Sequence, residues 1–293
     1  MTPEIILHIG VHKTGSTHIQ VALTRNSDWL IRQGIYYKPS DGVAHHSLIQ
    51  SFADTKSDDL ESAKIKISNM IKDAGSKDCK KIIISSEVMS ESHINIEKLH
   101  KFISEIGSVS VYSYIRNPVD QLISAYNQIV RDNVHRRTFG FTLKNKGYDP
   151  SYKSMLFPWI DTGAQLKILP YDKNQWILND IVSDFLFSIG ASKYDQYSKE
   201  NIVKTSNGSL PYPLLDVLRL VNKIEISENE RDNFIQGLYE LVEKNPERYF
   251  KYEIMTKSEK SEVYKELNDL LPTYRKYFRD GFNEYFLTED GRN

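Results

Sequence analysis

A lysine lies in a short loop whose composition is typical of anion-binding turns. Lys13 lies between Gly10 and Gly15, and the hydroxyl residues Ser16 and Thr17 follow the second glycine. The apolar residues 5–9 before it predict a buried parallel strand, and residues 15–25 predict a helix that begins immediately after the loop. Such a loop turns backbone N–H groups and the positive end of a helix dipole toward its contents. We therefore expect this loop to bind an anion such as a phosphate.

The position of the lysine distinguishes two kinds of phosphate loop. In a Walker A loop the lysine follows the last glycine, whereas Lys13 precedes Gly15. The loop instead resembles the 5′-phosphosulfate loop of sulfotransferases that use 3′-phosphoadenosine 5′-phosphosulfate (PAPS), usually Lys-x-Gly-Thr-Thr or Lys-x-Gly-Ser-Thr. The resemblance implies that the donor is bound by the whole run, His12-Lys13-Thr14-Gly15-Ser16-Thr17. From these six residues alone, a structural turn with a solvated lysine remains an alternative.

A second motif follows another predicted strand. Residues 109–115 alternate like a strand and lead to Arg116, and Pro118 suits the first position of the next helix. With Ser124 on that helix, the element resembles the 3′-phosphate motif of the same family. The resemblance implies a forked, charge-assisted contact from Arg116 to the 3′-phosphate and a hydroxyl contact from Ser124. An arginine near a proline is usually a surface turn, so the argument depends on both motifs occurring in this order.

The alternation of strands and helices predicts an α/β fold. The predicted strands lie near residues 4–9, 80–86, 109–115 and 165–170. This order is typical of three layers, with a central parallel sheet between helices, and the resemblance implies the P-loop NTPase-like sulfotransferase fold. Residues 174–190 are predicted to form the helix after the last strand. We expect one sulfotransferase domain over residues 1–293, with a helical C-terminal part at about 211–293.

Glu87, His45 and His46 are the candidates for the general base that removes a proton from the acceptor. Lys13, Glu87 and Arg116 each follow a predicted strand, and ligands of parallel sheets bind at these carboxyl ends. Glu87 is the first choice as general base, although it could instead cap the following loop or pair with Lys13. His45 and His46 are the other candidates, because family members often have a histidine near the acceptor. A surface turn or a helix start is the alternative for these two histidines.

The resemblance also implies the reaction. Sulfuryl transfer moves an SO3-like group in line from PAPS to a hydroxyl or amine, and 3′,5′-adenosine bisphosphate (PAP) is left. Lys13 would stabilise the charge on the departing phosphate, and no metal ion is required in principle. Tyr171 and Asn207 lie in segments similar to the family pattern and are expected to contact the donor. The rival functions are a P-loop kinase that uses ATP and Mg²⁺, and a noncatalytic nucleotide-binding module.

A carbohydrate or glycoconjugate is the acceptor that the overall resemblance favours. A basic stretch could border the acceptor cleft, although charge runs are usually solvated surface. Aromatic side chains could stack on sugar rings or belong to the core. The basic residues are Arg131, Arg136, Arg137, Lys144 and Lys146, and the aromatic residues are Tyr126, Tyr148, Tyr152 and Trp159.

Composition limits the partners and the location. A formal net charge of -1 gives no reason to expect nucleic acid or an anionic membrane as partner. The single cysteine, Cys79, excludes an internal disulfide, and three histidines near the N-terminus, His8, His12 and His18, do not share a face at metal-ligand spacing. No targeting segment or membrane span is visible, so a cytoplasmic enzyme is expected. The sequence does not indicate an oligomeric state.

Overall fold

The computed structural model describes residues 2–11, 13–54, 60–133, 136–145, 149–200, 209–250 and 252–292. Two of the expected donor-binding residues, His12 and Asn207, lie outside these ranges, as do Lys146 and Tyr148. The described chain divides into two compact units, which are presented separately. The first unit comprises residues 1–116, 152–204 and 270–286, and the second comprises residues 117–151, 205–269 and 287–293. The expectation of one domain stays a prediction.

The first unit contains the sheet. Its five strands are β1 (Glu4–Ile9), β2 (Ile35–Tyr36), β3 (Lys81–Ser86), β4 (Ser108–Ile115) and β5 (Gln165–Pro170). All neighbouring strands are parallel, and their order across the sheet is β2-β3-β1-β4-β5. The predicted α/β class with a parallel sheet is confirmed, and four of the five strands lie where the apolar runs predicted them. Strand β2 was not predicted because two residues are too short for a readable period.

The α-helices are numbered along the whole chain. They are α1 (Ser16–Arg25), α2 (Ser27–Arg32), α3 (His46–Gln50), α4 (Leu60–Ser76), α5 (Ile96–Ser104), α6 (Pro118–Arg131), α7 (Phe139–Asn145), α8 (Lys153–Asp161), α9 (Ile181–Ser188), α10 (Tyr212–Val221), α11 (Glu228–Lys244), α12 (Pro246–Phe250), α13 (Lys257–Asn268) and α14 (Leu271–Tyr274). Short 3₁₀ turns lie at Glu87–Ser90, Lys173–Gln175, Ile177–Asn179, Arg275–Tyr277, Glu284–Leu287 and Asp290–Arg292.

Helices cover both faces of the sheet, and β1 and β3 are accordingly mostly apolar. Ile6 and Ile83 pack on one face with α1, α2 and α9. Ile82 points to the opposite face, since neighbouring strand residues alternate, and packs against α4. Burial from both sides explains why β1 and β3 consist of buried residues after their first position. The three-layer arrangement predicted from the sequence is present in this unit.

One helix begins later than predicted. The segment expected to be helical over residues 174–190 forms 3₁₀ turns first, and α9 starts only at Ile181. Leu178 and Asn179 adopt left-handed backbone angles, with φ of 57° and 53°, which interrupt a helix. Asp180 then caps α9, because its carboxylate accepts from the backbone N–H of Ser183 at 2.9 Å. The capping geometry therefore overrides the apolar pattern.

The second unit is helical in its described residues. Its core joins α6, α10, α11 and α13. Leu214, Leu215 and Leu218 lie at helical spacing on α10 and are buried in this core, whereas Val221 at the end of the helix is half-buried. Among the helices of the described ranges, none combines the length and the apolar character needed to cross a membrane.

A buried ion pair fixes α9 within the first unit. The carboxylate of Asp184 is fully buried and accepts from the Arg279 guanidinium at 2.5 Å. It also accepts from the Tyr114 hydroxyl at 2.8 Å and from the Ile177 backbone N–H at 3.0 Å. Burial, followed by the nearby Asp184 carboxylate, raises the pKa of Tyr114 well above its usual value. Strand β4, α9 and the segment after α14 are therefore joined around one charge.

We predict that Arg279→Met strongly destabilises the fold. The substitution leaves the Asp184 carboxylate buried without its counterion, which typically costs about 3–5 kcal/mol. Arg275→Met is the matched control, because Arg275 forms an exposed pair with Glu284 and such pairs contribute roughly 0–1 kcal/mol. Urea denaturation of both variants measures the difference. Equal losses would contradict the role assigned to the buried pair.

Candidate active site

The loop after β1 has an unusual backbone. Lys13 and Gly15 both adopt left-handed angles, with φ of 69° and 76°. For a residue with a side chain this conformation costs roughly 1–2 kcal/mol, so Lys13 is a strained position. Thr14 lies between them and is buried, and its hydroxyl and its N–H both donate to the Val11 carbonyl, at 2.7 Å and 3.2 Å. Thr14 therefore shapes the loop from within.

The loop leads directly into helix α1, as predicted. Ser16 begins the helix and is buried, with its hydroxyl 3.5 Å from the Val11 carbonyl, whereas Thr17 is exposed. The first turn of α1 contains no acidic residue, so no side chain of that turn offsets the positive helix end. The first N–H groups of a helix have no partners within it. The loop and the helix start thus present N–H groups, a lysine and hydroxyls in one place.

Two close contacts require glycine in this region. A Cβ added to Gly10 would overlap the Ser16 hydroxyl and lie 2.8 Å from Cγ of Glu87. A Cβ added to Gly15 would lie 2.8 Å from Ile181 of α9 and 3.2 Å from Tyr171. Gly10 therefore allows the Glu87 side chain to approach the loop. Gly15 allows α9 to pack against it.

The second motif meets the loop at Arg116. Its guanidinium donates from Nη1 to the Lys13 carbonyl at 3.3 Å and lies 5.4 Å from the centre of the Tyr171 ring. The Arg116 backbone is held by Tyr152, whose hydroxyl donates to its carbonyl at 2.6 Å and accepts from its N–H at 3.1 Å. The structure therefore brings Lys13, Arg116 and Tyr171 together at the carboxyl ends of β1, β4 and β5.

Two of the three candidate bases are neighbours. The Glu87 side chain is 13% exposed, and its Oε2 lies 3.5 Å from Nε2 of His46, whose side chain is 43% exposed. The other ring nitrogen of His46 bonds to the Ser86 hydroxyl at 2.8 Å. Gln20 of α1 donates from its amide to the same Oε2 at 3.0 Å. Glu87 is thus a largely buried carboxylate beside a histidine that is exposed to solvent.

His45 lies in a different environment from His46. Both ring nitrogens of His45 bond to backbone groups, because Nδ1 accepts from the Ser85 N–H at 3.2 Å and Nε2 donates to the Lys38 carbonyl at 3.0 Å. The ring is fully buried. Burial lowers the pKa of His45 to about 4, against a smaller opposing effect of the hydrogen bond to Lys38. These contacts describe a neutral histidine that connects β3 to the preceding loop.

A buried polar cluster beneath the loop was not identified from the sequence. His8 of β1 bonds through Nδ1 to the Ser85 hydroxyl at 2.8 Å, and that hydroxyl accepts from the Gln20 amide at 3.1 Å. Burial lowers the pKa of His8 to about 4, with an opposing effect of the Glu87 charge. Gln20 follows Ser16 by one helical turn, so both lie on the same face of α1. This spacing is the sequence signal that could have placed Gln20 near the loop. Its partners, however, come from β1 and β3.

The remaining predicted site residues have different placements. Ser124 is buried on α6 of the second unit, so its pairing with Arg116 stays a prediction. Tyr126, Tyr152 and Trp159 are buried, which fits the alternative that they belong to the core. Their positions on apolar helix and loop faces make them core residues. Within the described ranges, no group of three or more histidine, cysteine or acidic residues is arranged to hold a metal ion.

Comparisons with known proteins give limited similarity. No protein-family model matches the chain, and no curated protein matches it. The chain is similar in structure to a sulfotransferase from Alicyclobacillus acidocaldarius, with a TM-score of 0.46 and 17% identity over 93% of this chain and 96% of that chain. A structure of the PezAT toxin–antitoxin system of Streptococcus pneumoniae matches with a TM-score of 0.29 and 13% identity. This match covers 83% of the present chain and 87% of the other chain. At these values neither similarity supports a functional argument.

We predict that His45 makes folding stability fall with acidity. Between pH 6.5 and about 4 the unfolded His45 binds a proton and the folded one does not, so stability decreases as pH falls through this range. At pH 4.5 the loss from His45 should approach about 2–3 kcal/mol, at 1.36 kcal/mol per pH unit. Urea denaturation of the wild type and of His45→Gln at pH 7.5 and 4.5 measures it. The gap between the two proteins should shrink at pH 4.5, and a constant gap would contradict the neutral, buried His45.

Proposed function

We propose that this protein is a sulfotransferase that transfers a sulfuryl group from PAPS to a hydroxyl or amine acceptor. The observation that carries the proposal is the contact between the Arg116 guanidinium and the Lys13 carbonyl. It joins the two motifs that resemble the 5′-phosphosulfate loop and the 3′-phosphate site, which are far apart in the sequence. A donor with phosphate groups at both positions suits this pairing.

The loop supports binding of the 5′-phosphosulfate. Left-handed angles at Lys13 and Gly15 curl the backbone, and curled backbones of this kind gather N–H groups around an anion. The absent Cβ of Gly15 keeps the loop close to Tyr171 and Ile181. We assign the donor contacts to the loop N–H groups, Lys13 and Arg116, and to Tyr171 beside them. His12 and Asn207 remain proposed contacts from the resemblance.

The reaction follows from the charges. The acceptor oxygen or nitrogen attacks sulfur, the bond between sulfur and the 5′-phosphate oxygen breaks, and the bonding electrons remain on that oxygen, which leaves as part of PAP. Lys13 and the loop N–H groups stabilise the growing charge, a contribution that is often the largest in such sites. The backbone of Lys13 is itself part of the curled loop, which ties its side chain to the proposed phosphate site.

We assign to Glu87 the role of the general base that removes the proton of the acceptor. Its carboxylate lies beside Gly10 at the loop, with His46 on one side of it. His45 receives a structural role in this proposal, because both of its ring nitrogens already bond to the backbone. A carbohydrate is the proposed acceptor class, on the resemblance alone, and a cytoplasmic location is part of the same proposal.

We expect Lys13→Ala and Lys13→Gly to separate catalysis from stability. Both variants lose the ammonium group, so both should release PAP from PAPS at least about 100-fold more slowly than the wild type, the loss seen when such a donor is removed. Glycine tolerates the left-handed angle, so Lys13→Gly should be more stable than Lys13→Ala by about 1 kcal/mol. PAP release with a panel of carbohydrate acceptors and urea denaturation measure the two effects.

Binding measurements separate this proposal from its rivals. PAP should raise the melting temperature of the wild type, since a ligand that binds only the folded state stabilises it. A response to ATP with Mg²⁺ but not to PAP would overturn the proposal in favour of a kinase. Undiminished PAP release in both Lys13 variants would refute the role given to this lysine.

A further inference from the structure

We propose that Gln20 is a positioning residue for Glu87. Its amide holds the carboxylate of the proposed general base in a fixed position relative to the loop after β1. The inference rests on the proposed function and deepens it. Gln20 is buried on α1, one helical turn after the residue that begins the helix. The same rigid element therefore carries the start of the anion site and the amide that contacts the carboxylate.

The Gln20 amide is directed by two acceptors. Its Nε2 donates to Glu87 Oε2 at 3.0 Å and to the Ser85 hydroxyl at 3.1 Å. Two hydrogen bonds from one NH₂ group use both of its protons and fix the plane of the amide. A rotation of the Gln20 side chain would break both bonds in a buried site, where an unmade hydrogen bond costs roughly 1–3 kcal/mol.

The support for this amide continues into the sheet. The Ser85 hydroxyl accepts from Gln20 and is also hydrogen-bonded to Nδ1 of His8 at 2.8 Å. The His8 ring is buried and packs against Phe185 of α9, with the ring centres 4.9 Å apart. The hydrogen-bonded side chains that connect β1 to Glu87 are thus held both by packing and by hydrogen bonds.

The contacts are confined to one carboxylate oxygen. Gln20 and His46 both approach Oε2 of Glu87, so Oε1 takes part in neither contact. An oxygen outside these contacts is suited to receive the proton of an acceptor. The amide group of Gln20 neither ionises nor acts as a base near neutral pH. The amide therefore orients Glu87 without competing for the proton.

From this geometry we expect Gln20 to affect the rate of sulfuryl transfer and not the affinity for the donor. General base catalysis requires the base within hydrogen-bond reach of the proton, and a shift of about 1 Å in a reacting group can cost about 100-fold in rate. Both hydrogen bonds of the Gln20 amide group are made to Ser85 of β3 and to Glu87 of the turn that follows it, and not to the donor loop. Loss of the amide should therefore loosen the base and leave PAP binding intact.

The test is a double-mutant cycle between Gln20→Met and Glu87→Gln. Methionine keeps the length of the side chain and removes its hydrogen bonds. With the carbohydrate of the acceptor panel that the wild type sulfates fastest, the single-turnover rate of PAP formation from PAPS should fall about 10- to 100-fold in Gln20→Met, while its Kd for PAP stays within about twofold of the wild type. In the Glu87→Gln background the same substitution should have no further effect on the rate, because a residue that acts through Glu87 has nothing left to position.

Gln33→Met is the matched control. Gln33 follows α2, and its amide oxygen accepts from the exposed Ser192 hydroxyl at 2.7 Å, away from Glu87. This variant should keep the wild-type rate and PAP affinity. Urea denaturation shows that each variant is folded under the assay conditions.

The outcomes are distinct. A wild-type rate in Gln20→Met, or an equal loss in the Glu87→Gln background, overturns the positioning role and leaves the sulfotransferase proposal standing. A weakened Kd for PAP with an unchanged rate at saturating PAPS also overturns it, because the amide would then serve the donor loop. A wild-type chain that neither binds PAP nor releases it from PAPS overturns the proposed function, and this inference with it.

Discussion

The backbone of the turn after β1 constrains the rest of the candidate site. Lys13 and Gly15 hold left-handed angles so that α1 can begin directly after the strand. The turn has no room for side chains at Gly10 or Gly15, because Ser16, Glu87 and Ile181 occupy the adjoining space. A strained lysine in such a turn is stable only if its surroundings determine the conformation. The hydrogen bonds of Thr14 to Val11 and of Arg116 to Lys13 are the interactions that do so.

These surroundings are linked to the fold through α9. The helix places Ile181 against the loop and Asp184 in a buried pair with Arg279. The pair joins the helix to β4 through the hydroxyl of Tyr114. On the other side of the loop, Gln20, Ser85 and His8 form a buried polar chain that ends at Glu87. The hydrogen bonds of this polar chain give Glu87 one orientation relative to the loop.

The sequence predicted the elements of the first unit better than their connections. The apolar runs of β1 and β3, the alternation of β4 and the apolar residues of β5 allowed these four strands to be placed from pattern alone. The start of α9 could not, because left-handed angles at Leu178 and Asn179, two residues that are not glycine, have no readable pattern in the sequence.

The candidate site shows the same division. The positions of Lys13, Arg116 and Glu87 at strand ends could be predicted, since parallel strands bring their carboxyl ends together. The roles of His45 and His46 could not, because adjacent residues face opposite environments and only the fold shows which ring is buried. Gln20 and Ser85 lack a motif, since their partners come from separate elements of the fold. Side-chain pairing across elements is the information that the sequence pattern lacks.

A crystal structure of the chain with 3′,5′-adenosine bisphosphate tests the central claim most directly. The account predicts the 5′-phosphate within about 3 Å of the loop N–H groups and of the Lys13 ammonium group, with the Arg116 guanidinium at the 3′-phosphate. Glu87 should lie beside the 5′-phosphate with its Gln20 contact unbroken. A bisphosphate bound elsewhere, or bound with its 5′-phosphate away from the turn after β1, would contradict the account.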